Sequence, residues 1–301
     1  MNMKWSECKK GYEEFLRLEK SLSQNSVSAY VNDINKLINF LEEEFKRVPP
    51  EKVRLLHLKK FVEWLNLKGV SPRTQARTIS GIKSFFKYLL IEEKIMNDPT
   101  TLLESPKVGR KLPDVLTMEE IDLLIDSVDI SKPEGQRNRA MLETLYSCGL
   151  RVSELVSLKV SNLYFDQGYI KVEGKGGKER LVPISKNAVE EINKYTEGYR
   201  KTLHIGKDCS NILFLNRRGK NLSRVMVFTI IKGLAEKVGL DKKISPHTFR
   251  HSFATHLING GADLRAVQEM LGHESILTTE IYTHIDKDYL KSTIQQFHPR
   301  S

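Results

Sequence analysis

Five places in the last two-thirds of the sequence hold side chains fit for handling a phosphodiester. They are Arg151 with Glu154 in GLRVSEL, Lys175 in GKGGKER, His247 with Arg250 in HTFRH, His273 after Gly272, and Tyr282 in EIYTH. Guanidinium groups present paired N–H donors to phosphate oxygens. Each place taken singly is ordinary, because an arginine near a glutamate is usually a surface ion pair and a lone tyrosine usually packs.

Spacing brings some of these side chains together. Arg151 and Glu154 are three residues apart at a predicted helix start that follows a glycine, so the carboxylate can hold the guanidinium in place. His247 and Arg250 are also three apart, on one face of a predicted helix. Lys175 lies between two glycines at a predicted hairpin tip, where a long side chain can swing over a bound strand.

Two other kinds of site are disfavoured. The GKGGK run lacks the GxxxxGK[ST] spacing of a P-loop and lies between strands. No acidic residue completes a metal-binding set with His247, His251 and His256, and the three cysteines are far apart, so we expect no metal. An odd, scattered set of cysteines favours a reducing cytoplasm, and no apolar run approaches the roughly 18 residues of a membrane span.

The elements that must position the candidates form a mainly α-helical region with a small antiparallel β-sheet. Apolar spacing predicts helices over Thr117–Val128, begun by a capping box of Thr117 and Glu120, and over Glu134–Cys148. Alternation predicts the strands Leu163–Phe165, Tyr169–Glu173 and Arg180–Ile184, the last two joined as a hairpin by GKGGK. After Ile212–Leu215 the pattern is helical to the end of the chain.

A proline-rich, basic stretch divides the chain into two predicted domains. Pro99, Pro106 and Pro113 prevent a continuous helix, so we expect domains over residues 1–97 and 114–301 with a linker over 98–113. The first domain is predicted to be all-helical. Its predicted helices are one with an apolar face from Val27 to Leu41 capped by Ser23 or Asn25, one over Leu55–Leu67, and one that begins at Ser71-Pro72.

The third of these helices bears a stripe of hydrogen-bond donors. Its members lie at steps of four, three, four and three residues: Arg73, Arg77, Ser80, Ser84 and Lys87. No acidic residue occurs from Lys68 to Tyr88, so we expect no carboxylate to neutralise the stripe. A donor stripe suits a phosphate backbone, and the formal net charge of +10 agrees with a polyanionic partner. A solvated basic face explains the same spacing equally well.

In order along the chain, the motifs resemble the tyrosine recombinase, or phage integrase, family. GLRVSEL, GKGGKER, HTFRHSFATHL and LGHESILTTEIYTH follow the family order Arg, Lys, His-x-x-Arg, His, Tyr. The helical first domain is similar to the family's core-binding, or SAM-like, domain, which implies a two-domain C-shaped clamp. The compact size and the wording from Ser245 to His284 resemble the Xer branch, on the XerD rather than the XerC side. Phe249 stands where leucine is more usual.

The resemblance implies a covalent reaction without cofactor or metal. Tyr282 would attack the scissile phosphate, forming a 3′-phosphotyrosyl intermediate and releasing a 5′-hydroxyl. A phenol has a pKa near 10, so it needs a nearby proton acceptor, and His247 would be that general base. Lys175 would protonate the leaving 5′-oxygen.

The resemblance assigns the remaining candidates to the phosphate. Arg151, Arg250 and His273 would donate hydrogen bonds to its non-bridging oxygens, where losing one preorganised donor typically costs about 10²–10³ in rate. Glu154 would support the arginines and Lys175 from behind.

The resemblance also implies partners and a biological role. These are a double-stranded, dif-like recombination site, a second Xer recombinase within a tetramer on a Holliday junction, and a DNA translocase of the FtsK type, in the resolution of chromosome dimers at cell division. No membrane is involved. The tail from Asp288 to Phe297 would dock on the neighbouring subunit, although packing on its own domain fits its helical spacing equally well.

Three other functions share this scaffold or chemistry. An integrase of a mobile element would use the same catalytic residues, so these residues do not distinguish it. A DNA-binding protein that has lost catalysis is disfavoured by the intact Tyr282, Arg151 and Arg250. A relaxing enzyme of the type IB topoisomerase kind is disfavoured by the helical first domain and the Xer-like wording of the second.

Overall fold

The computed structural model describes residues 3–106, 109, 114–174, 177–272 and 287–300. The chain divides into two compact units, Met1–Lys111 and Leu112–Ser301, and each buries its own apolar core. The boundary falls within the predicted linker, most of whose second half lies outside the described residues. Among the described residues, no helix combines the length and the apolar character needed to span a membrane.

The first unit is helical, as predicted. Its helices are α1 (Trp5–Leu18), α2 (Gln24–Phe45), α3 (Leu55–Leu67) and α4 (Pro72–Ile91). Ser23 caps α2 and Ser71 caps α4, each accepting a hydrogen bond from a backbone N–H three residues on, and Pro72 occupies the first turn of α4. Helix α1 was not predicted, because the residue before it, Lys4, offers no side-chain cap.

A buried ion pair joins α2 to α4. The Asp33 carboxylate is 1% exposed and accepts from Arg77 Nη1 at 2.7 Å and Nη2 at 2.8 Å, and from Thr78 Oγ1 at 3.1 Å. A Cβ atom at Gly81 would lie 2.9 Å from this carboxylate, so glycine leaves it room. The expectation that no carboxylate neutralises the donor stripe is therefore wrong at Arg77, because α2 supplies the acid that α4 lacks.

The second unit combines a small antiparallel sheet with many helices, as predicted. Its helices are α5 (Met118–Asp126), α6 (Gly135–Ser147), α7 (Val152–Val156), α8 (Lys186–Glu197), α9 (Tyr199–Thr202), α10 (Arg224–Lys237), α11 (Pro246–Gly260), α12 (Leu264–Leu271) and α13 (Lys287–Phe297). The predicted capping box begins α5, with Thr117 N–H donating to Glu120 at 2.8 Å and Glu120 N–H to Thr117 at 3.3 Å.

The sheet contains β1 (Leu163–Tyr164), β2 (Tyr169–Glu173) and β3 (Glu179–Pro183) in the order β1-β2-β3. All pairings are antiparallel, and the register places Val172 opposite Arg180. The predicted hairpin of β2 and β3 is confirmed, with β3 one residue earlier than expected. Residues 175 and 176 of its turn lie outside the described part of the chain.

The described part of the C-terminal tail packs on its own unit. Leu290 and Ile294 of α13 are buried in the core shared with the other helices of that unit. Beyond the helix, Arg300 pairs with Asp122 of α5 at 2.5 Å and with Glu143 of α6 at 2.6 Å. Packing on its own domain is thus the observed arrangement, and docking on a neighbouring subunit stays a prediction.

Candidate active site

A glycine turn places Arg151 at the start of α7. Helix α6 ends at Ser147, and Gly149 adopts a left-handed backbone with φ of +55°. A Cβ atom at Gly149 would lie 2.4 Å from the ring of Phe253, so a side chain there is excluded on both counts. Arg151 then stands at the N-cap of α7, and its backbone N–H donates to Glu154 Oε2 at 2.8 Å.

The Glu154 carboxylate is the centre of an arginine cluster. Its side chain is 2% exposed and accepts from Arg151 Nη1 at 2.8 Å. Arg180 of β3 donates to both oxygens, from Nη1 at 2.8 Å and Nη2 at 2.9 Å. Arg250 of α11 approaches to 3.9 Å. Three elements thus bring three guanidinium groups to one buried acid.

The same guanidinium groups bind the C-terminal end of α12. The last carbonyls of a helix have no partner within the helix. Here three consecutive residues are each served by one arginine: Met270 by Arg180 Nε at 2.9 Å, Leu271 by Arg250 Nη2 at 2.5 Å, and Gly272 by Arg151 Nη2 at 2.9 Å. Arg250 Nη1 also donates to the Gly149 carbonyl at 2.7 Å. The cluster therefore fixes the chain immediately before His273.

Charge within the cluster is uneven. Burial alone would raise the pKa of Glu154, but the hydrogen bonds from Arg180 and Arg151 outweigh it and lower that pKa. Burial and then the like charge of Arg151 lower the pKa of Arg250 to about 10, against the attraction of Glu154. Arginine side chains carry a positive charge in proteins, so three positive charges face one negative charge. Such a site favours an added anion.

Of the other predicted catalytic residues, the structure describes the position of His247 alone. His247 lies in the first turn of α11, one turn before Arg250, and is exposed. Lys175, His273 and Tyr282 lie outside the described residues. The residues that precede two of them are at the cluster: a Cβ atom at Gly174 would be 3.9 Å from Glu154 Oε1, and Gly272 accepts from Arg151.

Two family profiles cover most of the chain. One, described as the phage integrase family, matches residues 114–288, which include every residue of the arginine cluster. The other, described as the phage integrase N-terminal SAM-like domain, matches residues 10–93 in the first unit. The chain belongs to the phage integrase family.

Relatives of this integrase-family chain fall in the Xer branch. Tyrosine recombinase XerD of Listeria innocua is 43% identical over 287 residues, covering 95% of this chain and 97% of its own. Two solved structures show the same fold. One is XerH site-specific recombinase bound to a palindromic difH substrate, with a TM-score of 0.71 and 23% identity, covering 94% of this chain and 83% of that one. The other is a lambda integrase tetramer bound to a Holliday junction, with a TM-score of 0.70 and 19% identity, covering 93% of this chain and 80% of that one. The predicted family, branch and fold class are confirmed.

One residue of the recombinase cluster was missed from the sequence. Arg151, Glu154 and Arg250 were predicted and lie together, but Arg180 was seen only as the start of a strand. The signal was present, because Arg180 shares a strand face with Val182, which is fully buried. A period of two therefore directs the Arg180 side chain inward. The GKGGKER motif drew attention to its lysine instead.

The donor stripe of α4 is less uniform than its spacing suggested. Arg73, Ser80 and Lys87 are exposed, whereas Ser84 is only half-exposed. The Ser80 hydroxyl donates back to the Ala76 carbonyl at 3.0 Å, a bond within the helix. With Arg77 held by Asp33, the stripe presents fewer unengaged donors than its five members imply. Contact with DNA stays a prediction for all of them.

Proposed function

We propose that this recombinase cuts and rejoins DNA at a dif-like site and thereby resolves chromosome dimers at cell division. The observation that carries the proposal is the Glu154-centred cluster, in which three arginines from three elements leave an excess of two positive charges. A scissile phosphate supplies the anion that such a site favours. The 43% identity to an XerD recombinase supports the biological role, and the XerH structure bound to difH supports the class of substrate.

The reaction begins with nucleophilic attack on phosphorus. Tyr282 loses its phenolic proton to His247 and forms a 3′-phosphotyrosyl bond, while the bond from phosphorus to the 5′-oxygen breaks. Lys175 gives a proton to that 5′-oxygen, so the nicked strand ends in a 5′-hydroxyl. The exposed position of His247 near the start of α11 is compatible with a base that meets substrate.

Electrostatic stabilisation of the pentavalent phosphorus comes from the cluster. Arg151 and Arg250 donate to the non-bridging oxygens, and His273 adds a third donor. A guanidinium has five N–H groups, and each of the two arginines uses two of them in the described part of the protein. Glu154 supports both from behind, so it orients donors without contacting the phosphate.

Strand exchange follows from the covalent link. The tyrosyl ester keeps the free energy of the phosphodiester, so a 5′-hydroxyl from the partner duplex can reverse the first step without ATP. We propose that the chain works in the cytoplasm with a second Xer recombinase, as a tetramer on two duplexes, under control of an FtsK-type translocase. On the N-terminal side, the exposed stripe residues Arg73, Ser80 and Lys87 contact the DNA backbone, with Arg77 and Ser84 as minor contributors.

A suicide substrate tests the chemistry directly. The DNA carries a nick close to the crossover point, so the released fragment diffuses away and the covalent adduct accumulates. Wild-type protein with EDTA present should give an adduct that survives denaturation, and Tyr282→Phe should give none. Tyr164→Phe is the matched control, because it removes the hydroxyl of a different tyrosine, one that is exposed on β1.

The outcomes separate the parts of the proposal. An adduct that persists in Tyr282→Phe would show that another residue is the nucleophile. Binding without an adduct, on substrates that carry each strand nicked in turn and with a second Xer recombinase added, would contradict the catalytic assignment. An adduct on element attachment sites but on no dif-like site would favour integration over dimer resolution.

A further inference from the structure

Arg180 binds the protein with all three of its side-chain nitrogens. Nη1 and Nη2 donate to the two oxygens of Glu154, and Nε donates to the Met270 carbonyl. Its side chain is 15% exposed, against 34% for Arg151. The more exposed arginine is the one suited to meet DNA, whereas Arg180 is engaged from behind.

The two hydrogen bonds from Arg180 fix the orientation of the Glu154 carboxylate. A guanidinium that donates two parallel hydrogen bonds holds a carboxylate in one plane. Among the described residues, Arg180 is the one whose guanidinium bonds both oxygens of Glu154 through its two terminal nitrogens; Arg151 uses one side-chain nitrogen and its backbone N–H. The orientation of Arg151 at the phosphate therefore depends on a carboxylate that Arg180 holds.

The other contact of Arg180 fixes the end of α12. Gly272 adopts φ of +63°, and a Cβ atom there would lie 3.2 Å from Cδ, Nε and Cζ of Arg180. The arginine side chain thus lies flat against the glycine, while its Nε binds the carbonyl of Met270. The residue after Gly272 is His273, to which the proposed mechanism gives a donor role.

We propose that Arg180 is a positioning residue for DNA cleavage, which holds Glu154 and the end of α12 so that Arg151, Arg250 and His273 meet the phosphate together. The inference rests on the proposed function of the cluster. Lysine cannot replace arginine in this role, because an ammonium group lacks the planar fork that bonds both carboxylate oxygens and a carbonyl at once.

Two variants with one matched control test the role. Arg180→Lys keeps the charge and Arg180→Met keeps only the bulk, while Glu179→Gln removes the neighbouring side-chain charge, which pairs with Lys171 at 3.1 Å and is 54% exposed. At saturating enzyme, both Arg180 variants should form the covalent adduct about a hundredfold more slowly, with DNA affinity within about twofold of wild type. Glu179→Gln should match wild type in both measurements.

A titration supplies a readout that does not depend on cleavage. Among the described residues, the charged groups facing Glu154 are Arg151 at the start of its own helix, Arg180 from β3 and Arg250 from α11. Removing Arg180 takes away the strongest of the hydrogen bonds that lower the pKa of Glu154 against its burial. In Arg180→Met, the pKa of Glu154, measured by carbon-13 NMR of the labelled carboxyl, should rise.

Each result decides something. Wild-type rates in both Arg180 variants, or a rate that falls only in proportion to DNA affinity, would overturn the positioning role. So would an unchanged Glu154 pKa in folded Arg180→Met; if that variant does not fold, an Arg180→Lys rate equal to wild type overturns the role by itself. If wild type forms no adduct, the proposed function fails, and the titration alone decides whether Arg180 governs the state of Glu154.

Discussion

In each of the two units an arginine donates through both Nη atoms to a buried carboxylate, but the surroundings of the two pairs differ. Asp33 accepts from both Nη atoms of Arg77 at 2.7 and 2.8 Å, and Glu154 accepts from both Nη atoms of Arg180 at 2.8 and 2.9 Å. Asp33 otherwise joins two helices of one bundle. Glu154 also holds Arg151, and its arginines continue to the end of a further helix.

The difference shows why a buried ion pair alone does not identify a site. Arg77 is 49% exposed, but both of its Nη atoms bond Asp33, so its role is to link α2 to α4. Around Glu154 the cations outnumber the acid, and Arg151 stays one-third exposed. Excess charge of one sign, on donors that converge from separate elements, is the feature that points to a ligand.

The largest effect is expected from Glu154→Gln. The amide keeps the size but loses the negative charge, and it turns an NH2 group toward an arginine. Removing one partner of a buried ion pair typically costs about 3–5 kcal/mol of unfolding free energy. Adduct formation should fall at least about a hundredfold, because the donors at the phosphate lose their orientation. Urea unfolding and single-turnover cleavage measure the two effects.

An exposed glutamate gives the control for that experiment. Glu173→Gln alters a side chain of β2 that is 54% exposed and 3.9 Å from Lys159, so stability and cleavage should both stay near wild type. A Glu154→Gln protein with wild-type cleavage would show that Glu154, like Asp33, only stabilises the fold.

Asp33→Asn should affect stability alone. Arg77 is half-exposed and can be solvated once its acid is gone, so the expected loss is about 2 kcal/mol rather than the larger value at Glu154. Below the unfolding transition, single-turnover cleavage should remain within about twofold of wild type. Lys36→Gln, which removes the outer partner of Asp33 at 3.3 Å, should change unfolding by less than about 0.5 kcal/mol. A large loss of cleavage in Asp33→Asn would show that the Asp33–Arg77 pair also takes part in the reaction.

Sequence reasoning succeeded where the partners are close along the chain. Helix α3 has the predicted bounds, and Arg151 and Glu154, three residues apart, do bond each other. Contacts between distant residues were missed, because periodicity places a side chain on a face without naming what it meets. Arg77 finds its acid 44 residues away, and Arg180 finds its acid 26 residues away. Arg250 was a candidate from its own motif, but its place beside Arg151 was predicted only through the family resemblance.

His298 extends the comparison to a buried group whose charged neighbours among the described residues, His256 and Arg300, are basic. Burial first, and the positive charges of His256 and Arg300 in addition, lower the pKa of His298 to about 3. Its Nδ1 accepts from the Arg300 N–H at 3.2 Å, as a neutral ring can. The unfolded chain takes up this proton near pH 6.5 and the folded protein does so only near pH 3. Stability is therefore complete above pH 6.5 and is lost as the pH falls.

Between pH 6.5 and 5 the loss from His298 should be about 2 kcal/mol of unfolding free energy. His298→Gln should flatten that part of the pH dependence, whereas His204→Gln, at an exposed position, should leave it unchanged. Urea unfolding at both pH values measures it. Equal acid sensitivity in His298→Gln and wild type would show that the ring is not held neutral in the folded protein.

The smallest effect concerns DNA contacts on α4, the helix that carries both Arg77, which is paired with Asp33, and the exposed donors. Each phosphate contact contributes about 0.9 to the slope of log affinity against log salt. Arg73→Ala should therefore lower the slope by about one, and Arg77→Ala by less than half as much, because Asp33 already binds both of its Nη atoms. Lys59→Ala, an exposed change on α3, is the control and should leave the slope unchanged. Equal slopes for the Arg73 and Arg77 variants would mean that the half-exposed Arg77 guanidinium contacts a phosphate while it stays bonded to Asp33. A buried ion pair would then contribute to packing and to DNA binding at once.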